Sequence, residues 1–147
     1  MPYEHPQGRR VNTLAAYRPY DPCFPWLGFR AFGRTLTGED LLAYLRALPW
    51  AAVPRIVVLD NAGLHTSRAV RGQRPALAEL GIYLYYLPPY SPELNEIEAL
   101  FRQIKHQEIP QRSHTTGEGL RQAVEQGFKS YHHKLRCKPR KKLRLAA

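Results

Sequence analysis

The sequence predicts one mixed α/β domain in which helices flank a sheet containing a parallel pair of strands. The chain has 147 residues, which suits a single domain with a hydrophobic core. Hydrophobic residues make up 44% of it, which excludes a disordered chain. Two short apolar runs, 56–59 and 82–87, are separated by a helical segment. This strand–helix–strand order requires a parallel crossover.

The first third of the chain predicts a β-hairpin followed by a helix. Residues 10–17 alternate imperfectly and residues 26–36 are rich in aromatic side chains, so both are predicted strands on either side of a proline-containing turn. Thr37 and Asp40 have the spacing of a capping box at a helix start. The apolar stripe of this predicted helix consists of Leu41, Leu42, Leu45 and Leu48.

The middle of the chain predicts two inner strands. Residues 56–59 and 82–87 are apolar runs of the kind that parallel sheets bury on both faces. Between them, Ser67 is a candidate N-cap for a helix that Gly72 and Pro75 would interrupt. We therefore expect helices to cover both faces of this strand pair.

Two further helices are predicted near the end, which makes the element order β-β-α-β-α-β-α-α. Ser91 before Pro92 fits an N-cap followed by a proline at the first helical position. Thr115 and Glu118 repeat the capping-box spacing. The predicted buried stripes are Leu94, Ile97, Phe101 and Ile104 on one helix, and Leu120, Val124, Phe128, Tyr131 and Leu135 on the other.

The formal net charge of +10 indicates a polyanionic partner, with nucleic acid as the first choice. A basic soluble protein without such a partner is the alternative. We divide the chain into a domain, 1–135, and a basic tail, 136–147. The cationic side chains expected to contact DNA phosphates weakly and without sequence preference are Lys134, Arg136, Lys138, Arg140, Lys141, Lys142 and Arg144. A solvated end without a partner is the other interpretation of this run.

Cysteine usage and hydropathy predict a cytoplasmic protein without a membrane partner. Cys23 and Cys137 form no CxxC pair, so neither a disulfide framework nor a zinc ribbon is expected. No apolar run approaches the length that spans a bilayer.

Asp60 directly follows the first inner strand, and α/β sheets place their binding sites at the carboxyl ends of such strands. Asn61 and Gly63 suit a tight exit turn, and His65 can reach back to the strand end. The same pattern suits an aspartate that only bonds its own turn. Both interpretations stay open on the local sequence.

Helical spacing favours one acid in the cluster that follows Ser91. Glu98 lies on the same side as Leu94 and Phe101, and so borders the buried stripe, whereas Glu96 faces water. Glu93 is not excluded. The same edge as Glu98 also holds Asn95, Arg102 and Lys105, and Lys105 is expected to contact DNA.

Two carboxylates from separate elements suit a hard cation such as Mg²⁺. A pair of such ions can activate a water or a 3′-hydroxyl and stabilise the leaving oxygen of a phosphodiester. That chemistry usually needs a third carboxylate. The sequence thus predicts part of a metal site at Asp60 and Glu98.

Two sequence blocks resemble the second and third catalytic blocks of mariner-superfamily DDE transposases, and are closest in appearance to the bacterial insertion-sequence branch. They are Asp60-Asn61-Ala62 with His65, and the run from Pro89 to Glu98 (PYSPELNEIE). By element order the resemblance covers residues 8–135. Glu96 departs from it, because many members have proline there.

The resemblance implies an RNase H-like fold and metal-dependent cleavage and transfer of DNA strands. It implies that Asp60 and Glu98 are catalytic ligands of two Mg²⁺ or Mn²⁺ ions, with Asn61, His65, Asn95 and Arg102 in support. The implied partners are DNA, as element ends and target, a second copy of the chain, and an upstream half of the transposase. The implied location is the bacterial cytoplasm, at the nucleoid when bound to DNA.

In the family, the first catalytic aspartate lies on a central strand ahead of the segment that resembles residues 6–12. Met1 is only a few residues upstream of that segment. We therefore expect this chain to lack the central strand and to be a transposase fragment that is inactive alone. A nuclease that is not a transposase, and a non-catalytic DNA-binding or assembly module, are the alternatives.

Overall fold

The computed structural model describes residues 10–19, 26–109 and 114–137, and confirms the mixed α/β class. The strands are β1 (Asn12–Arg18), β2 (Trp26–Phe32), β3 (Arg55–Leu59) and β4 (Ile82–Tyr86). The helices are α1 (Gly38–Arg46), α2 (Arg68–Gly72), α3 (Arg74–Glu79), α4 (Glu96–Gln103) and α5 (Gly117–Cys137). A 3₁₀ turn, Pro92–Leu94, precedes α4, and a π-helical turn, Ile104–Glu108, follows it.

The strands pair in two separate sheets. β1 and β2 form an antiparallel hairpin in which Asn12 lies opposite Phe32. β3 and β4 are parallel, with Arg55 opposite Ile82, as the crossover order predicts. Within the described residues, no strand joins the two pairs. β1 and β3, which the family resemblance expects to flank a central strand, each have one strand partner there.

One hydrophobic cluster joins both sheets to the first three helices. Leucines of α1 pack against the inner faces of β1, β3 and β4, and α2 and α3 close the cluster. Leu42 and Leu77 are almost fully buried at its centre. Its buried members are Leu14, Leu41, Leu42, Tyr44, Leu45, Leu59, Val70, Leu77, Ile82 and Leu84.

A second hydrophobic cluster holds the last helices against the other face of the hairpin. Leu27 of β2 packs among side chains of α4, the π-helical turn and α5. The Phe128 ring stacks near Phe29, with the ring centroids 5.0 Å apart. The hairpin is therefore covered on both faces, by α1–α3 on one side and by α4–α5 on the other.

The parallel pair is covered on one face only, so the prediction that its strands are buried on both faces is wrong. Ile56 and Val58 of β3 are 72% and 53% exposed, and Tyr83 and Tyr85 of β4 are 49% and 57% exposed. The reason is the packing of the last helices, which contact β2 rather than β3 and β4. An apolar sheet face of this kind is unusual on a soluble monomer.

The predicted start of α1 is confirmed, with an additional ion pair. The Thr37 hydroxyl accepts the backbone N–H of Asp40, and the Asp40 carboxylate accepts the Thr37 backbone N–H at 2.8 Å. Arg34 donates two hydrogen bonds of 2.7 Å to the two oxygens of the same carboxylate. These contacts tie the end of the hairpin to the first turn of α1.

The predicted interruption between the inner strands is also confirmed. Ser67 caps α2, and its hydroxyl accepts the backbone N–H of Val70. α2 ends at Gly72, and α3 begins with Pro75 in its first turn. Gly81 follows α3 with φ of +72°, a left-handed conformation that glycine adopts without a steric penalty.

Two other predicted helix starts are wrong by a few residues. Ser91 precedes only the 3₁₀ turn, and Asn95 occupies the N-cap position of α4 without a side-chain cap bond. The hydroxyl that caps α5 belongs to Thr116 rather than Thr115, and it accepts the N–H of Gly119 at 3.0 Å. Pro92 suits a first 3₁₀ position as well as a first α position, so the sequence did not separate the two.

None of the helices in the described ranges combines the length and apolarity needed to cross a membrane.

We predict that Asp40→Asn removes a pH-dependent part of the stability. The Arg34 guanidinium and the Thr37 backbone N–H hold the pKa of the Asp40 carboxyl well below its ordinary value. A carboxyl with a lowered pKa stabilises the fold above its unfolded-state pKa, and this contribution is lost as pH falls below about 4. The free energy of unfolding of the wild type should therefore fall more steeply with acidification than that of Asp40→Asn.

Urea denaturation at a series of pH values measures this difference. Glu39→Gln is the matched control, since Glu39 is an exposed acid in the same helical turn, and it should keep the slope of the wild type. Parallel pH curves for the wild type and Asp40→Asn would contradict the prediction.

Candidate active site

The carboxyl ends of β3 and β4 are held together beyond the last strand residues. The backbone N–H of Leu87 donates to the Leu59 carbonyl at 2.8 Å. The Asn61 side-chain amide donates to the Leu87 carbonyl at 2.7 Å. The two chain segments therefore leave the sheet side by side, which places the turn after β3 next to the loop that leads to α4.

An open cleft of about 270 Å³ lies between these two segments. It brings Asp60 from the end of β3 together with Glu98 from the first turn of α4. Asn61 and Asn95, two of the predicted supporting residues, line the same cleft. Its other lining residues, to which the sequence assigned no role in the site, are Ala62, Leu87, Pro88, Tyr90, Ser91 and Pro92.

One oxygen of the Asp60 carboxylate is fixed by two hydrogen bonds. Oδ1 accepts the backbone N–H of Ala62 at 3.0 Å and contacts His65 Nδ1 at 2.6 Å. Because an ionised carboxylate only accepts, Nδ1 carries the proton. Within the described residues Oδ2 has no hydrogen-bond partner, and the side chain is 40% exposed. Asp60 thus bonds its own turn and still presents an oxygen to the cleft.

His65 is itself held from the neighbouring strand. The Tyr86 hydroxyl donates to the His65 carbonyl at 2.7 Å, and the His65 backbone N–H donates to the Ala62 carbonyl at 2.9 Å. The Arg74 guanidinium lies 5.8 Å from the centre of the Tyr86 ring. Tyr86 therefore links β4 to the turn that orients Asp60. The sequence offered no signal for this bond, because Tyr86 was one of several aromatic residues in a predicted strand.

Glu98 is positioned by the opposite face of its helix. Leu100 and Ile104 are buried in the second cluster, and they anchor α4. Of the predicted stripe, Ile97 and Phe101 pack at the edge of that cluster, whereas Leu94 is 53% exposed and its prediction is wrong. The 3₁₀ turn rotates Leu94 out of register with α4, and Leu100 replaces it.

Of the acids near the start of α4, Glu98 lines the cleft, and Glu93 and Glu96 do not. The Glu98 backbone N–H donates to the Asn95 carbonyl at 3.1 Å, and its side chain is exposed to solvent. The helix start thus places Glu98 in the lining of the cleft that also holds Asp60, and Glu93 outside that lining.

Tyr90 lies on the rim of the cleft in a strained backbone conformation. Its φ is +57°, and it is the single non-glycine residue with positive φ in the part of the chain that the structure describes. For a residue with a Cβ this region costs about 1–2 kcal/mol. The side chain is fully exposed.

The donor atoms of the cleft suit a hard divalent cation. Carboxylate and amide oxygens are the ligands that Mg²⁺ prefers, and it usually keeps several waters alongside one or two carboxylates. Among the described residues, no group of three or more His, Cys, Asp or Glu side chains is placed to hold a metal. Asp60 and Glu98 are the carboxylates of the cleft that could hold such an ion, with water or phosphate oxygens at its other positions.

The predicted cationic residues that the structure describes, Arg102, Lys105, Lys134 and Arg136, are not among the lining residues of the cleft. Arg102 and Lys105 are exposed on α4 and the π-helical turn. Lys134 donates to Glu108 at 2.6 Å, and this ion pair lowers the pKa of the Glu108 carboxyl. Arg136 is exposed near the end of α5, which continues through the predicted boundary at 135 to Cys137. Lys138, Arg140, Lys141, Lys142 and Arg144 lie outside the described residues.

Comparison with known proteins identifies the family. A search among curated proteins finds no match. A family model described as DDE superfamily endonuclease matches residues 3–121, which include both sheets and the whole cleft. The match covers most of the chain, and the chain therefore belongs to the DDE superfamily endonucleases.

Proposed function

We propose that this chain is part of the catalytic domain of a DDE transposase of the mariner superfamily, of the bacterial insertion-sequence type. Asp60 and Glu98 are two of its three catalytic carboxylates. One observation carries the proposal: the two acids come from different elements, the end of β3 and the start of α4, and line one open cleft. The family match supports a reaction on DNA.

Some residues at the cleft orient the Asp60 carboxylate, and others are available to bind a metal ion. His65 and the Ala62 backbone fix Oδ1 of Asp60, which leaves Oδ2 for a cation. Glu98 supplies the facing carboxylate, and Asn61 and Asn95 the nearby amides. Two Mg²⁺ or Mn²⁺ ions bound there would activate a water or a 3′-hydroxyl and stabilise the leaving oxygen of a phosphodiester.

The third carboxylate comes from a strand that pairs between β1 and β3. The described acids that precede Asp60 are Glu39 and Asp40 in α1, and Asp40 is bonded to Arg34 and Thr37. β1 and β3 each have a second edge without a strand partner among the described residues, and an unpaired strand edge readily accepts another strand. Such a strand would end at the cleft beside Asp60.

DNA is the proposed partner, and basic residues near the cleft are its proposed contacts. The net charge of +10 favours association with a polyanion through counterion release. Arg102 and Lys105 follow Glu98 on the same helical segment, and the basic residues after position 134 add further charge. We propose that two copies act on paired element ends, in the bacterial cytoplasm at the nucleoid.

A non-catalytic assembly module is the second candidate function. It is favoured by the finding that the described residues bring two acids to the cleft rather than three. In that case Asp60 and Glu98 form part of a site, and a partner chain supplies its remaining carboxylate.

We predict that Asp60→Asn and Glu98→Gln each weaken Mn²⁺ binding by about tenfold or more, because each removes a charged ligand. Isothermal titration of the purified chain with Mn²⁺ measures the effect. Glu93→Gln is the matched control, since Glu93 is an acid of the same segment outside the cleft, and it should bind as the wild type does. Unchanged affinity in Asp60→Asn would contradict the assignment.

We predict that Tyr86→Phe weakens Mn²⁺ binding by about tenfold through the orientation of Asp60, the size typical of contacts that position a ligand. Loss of its bond to the His65 carbonyl should also lower the free energy of unfolding by about 1 kcal/mol. Tyr85→Phe is the control, because Tyr85 is the adjacent tyrosine on the exposed face. Equal Mn²⁺ affinities in the two variants would show that Tyr86 does not position the site.

We predict that the purified chain does not cleave DNA, because the third carboxylate is proposed to come from a further strand and the described residues bring two acids to the cleft. A supercoiled plasmid incubated with the chain and Mn²⁺ should be nicked no faster than with Asp60→Asn. Cleavage that depends on both Mn²⁺ and Asp60 would contradict the proposal that a further strand completes the site.

A further inference from the structure

Tyr90 presents its whole side chain to solvent beside the two carboxylates. It lines the cleft with Asp60 and Glu98, and its side chain is fully exposed. Neither its ring nor its hydroxyl has a hydrogen-bond or ring partner among the described residues. The packing of the described fold therefore does not account for an aromatic residue at this position.

The loop around Tyr90 restricts the backbone that carries the ring. Pro88, Pro89 and Pro92 restrict the backbone on both sides. The Leu87 end of the loop is fixed to β3 by the bonds to Leu59 and Asn61. The left-handed backbone at Tyr90 is a strain of the kind that accompanies binding sites. A tyrosine side chain has two rotatable bonds, so it loses little conformational entropy when a ligand covers it.

We propose that Tyr90 is a stacking platform for an unpaired nucleobase of the DNA strand that enters the cleft. This inference rests on the proposed function, because it names how the same cleft holds its substrate. Every base has an aromatic face, so stacking on tyrosine tolerates any sequence, and it accompanies basic surfaces that follow the backbone. Exposed Arg102 and Lys105, on the helical segment that follows Glu98, supply positive charge outside the cleft lining.

The position of Tyr90 indicates what the stacking does. A base held on the rim places its own phosphodiester next to Asp60 and Glu98, where the strand would be cut or joined. An unpaired base meets the ring face to face, whereas a base inside a duplex has both faces covered by its neighbours. The cleft should therefore favour a single strand, or a duplex with an unpaired base, over a fully paired duplex.

Fluorescence titrations with short single-stranded oligonucleotides that carry 2-aminopurine test the proposal. Tyr90→Asn removes the ring and keeps a residue that tolerates the left-handed conformation, and it should weaken binding about tenfold. It should also abolish the quenching of 2-aminopurine. Tyr90→Phe keeps the aromatic face and should bind as the wild type does. Tyr83→Thr, which removes an exposed tyrosine away from the cleft, is the matched control and should also behave as the wild type.

Three outcomes would overturn the inference. They are unchanged affinity and quenching in Tyr90→Asn, equal losses in Tyr90→Phe and Tyr90→Asn, and no binding of single strands by the wild type. Mn²⁺ titration of the Tyr90 variants and of Asp60→Asn distinguishes an error in the stacking proposal from an error in the proposed function. Loss of Mn²⁺ binding in Asp60→Asn, with no effect of Tyr90 on DNA, would leave the metal site standing and remove only the stacking role.

Discussion

The parallel pairing of β3 with β4 is the constraint on which the candidate site depends. It continues past the strand ends through the bond from Leu87 to Leu59 and the bond from Asn61 to Leu87. These contacts bring the turn after β3 against the loop before α4. Asp60 and Glu98 are far apart in the chain. They line one cleft because these two bonds hold the turn after β3 beside the loop before α4. Orientation of Asp60 by His65, and of His65 by Tyr86, depends on the same junction.

The local features that helical and strand spacing encode were predictable from the sequence. The capping box at Thr37 and the interrupted helix after Ser67 agree with the structure, whereas the choice of Glu98 over Glu96 as a ligand stays a prediction. Each depends on contacts between residues a few positions apart. The family resemblance carried the assignment further, and the family match supports it at the level of a DDE endonuclease.

What the sequence could not show is set by packing between distant elements. Exposure of Ile56 and Val58 follows from where α4 and α5 pack, and a run of apolar residues does not record which helix covers it. The exposure of Leu94 follows from a 3₁₀ turn that the Ser91–Pro92 pattern cannot distinguish from a first α turn. The bond from Tyr86 to His65 is a contact between side chain and backbone across two elements, and no spacing rule predicts such a contact.

Among the described residues, the parallel pair has one exposed face, and β1 and β3 each have an edge without a strand partner. Both features leave the parallel pair poorly supported. A two-stranded sheet has few backbone hydrogen bonds and little buried area of its own. Here it is supported by a single helical layer, through the cluster around Leu42 and Leu77. A further strand at the β3 edge would add hydrogen bonds, and could bring a third carboxylate to the cleft. The same strand would then stabilise the sheet and supply the third carboxylate of the site.

Anomalous diffraction from crystals grown with Mn²⁺ tests the central claim most directly, because it locates the ion without reference to activity. The account predicts an anomalous peak in the cleft, within bonding distance of carboxylate oxygens of both Asp60 and Glu98. A peak bound by only one of them, a peak elsewhere on the chain, or no peak at saturating Mn²⁺ would contradict it.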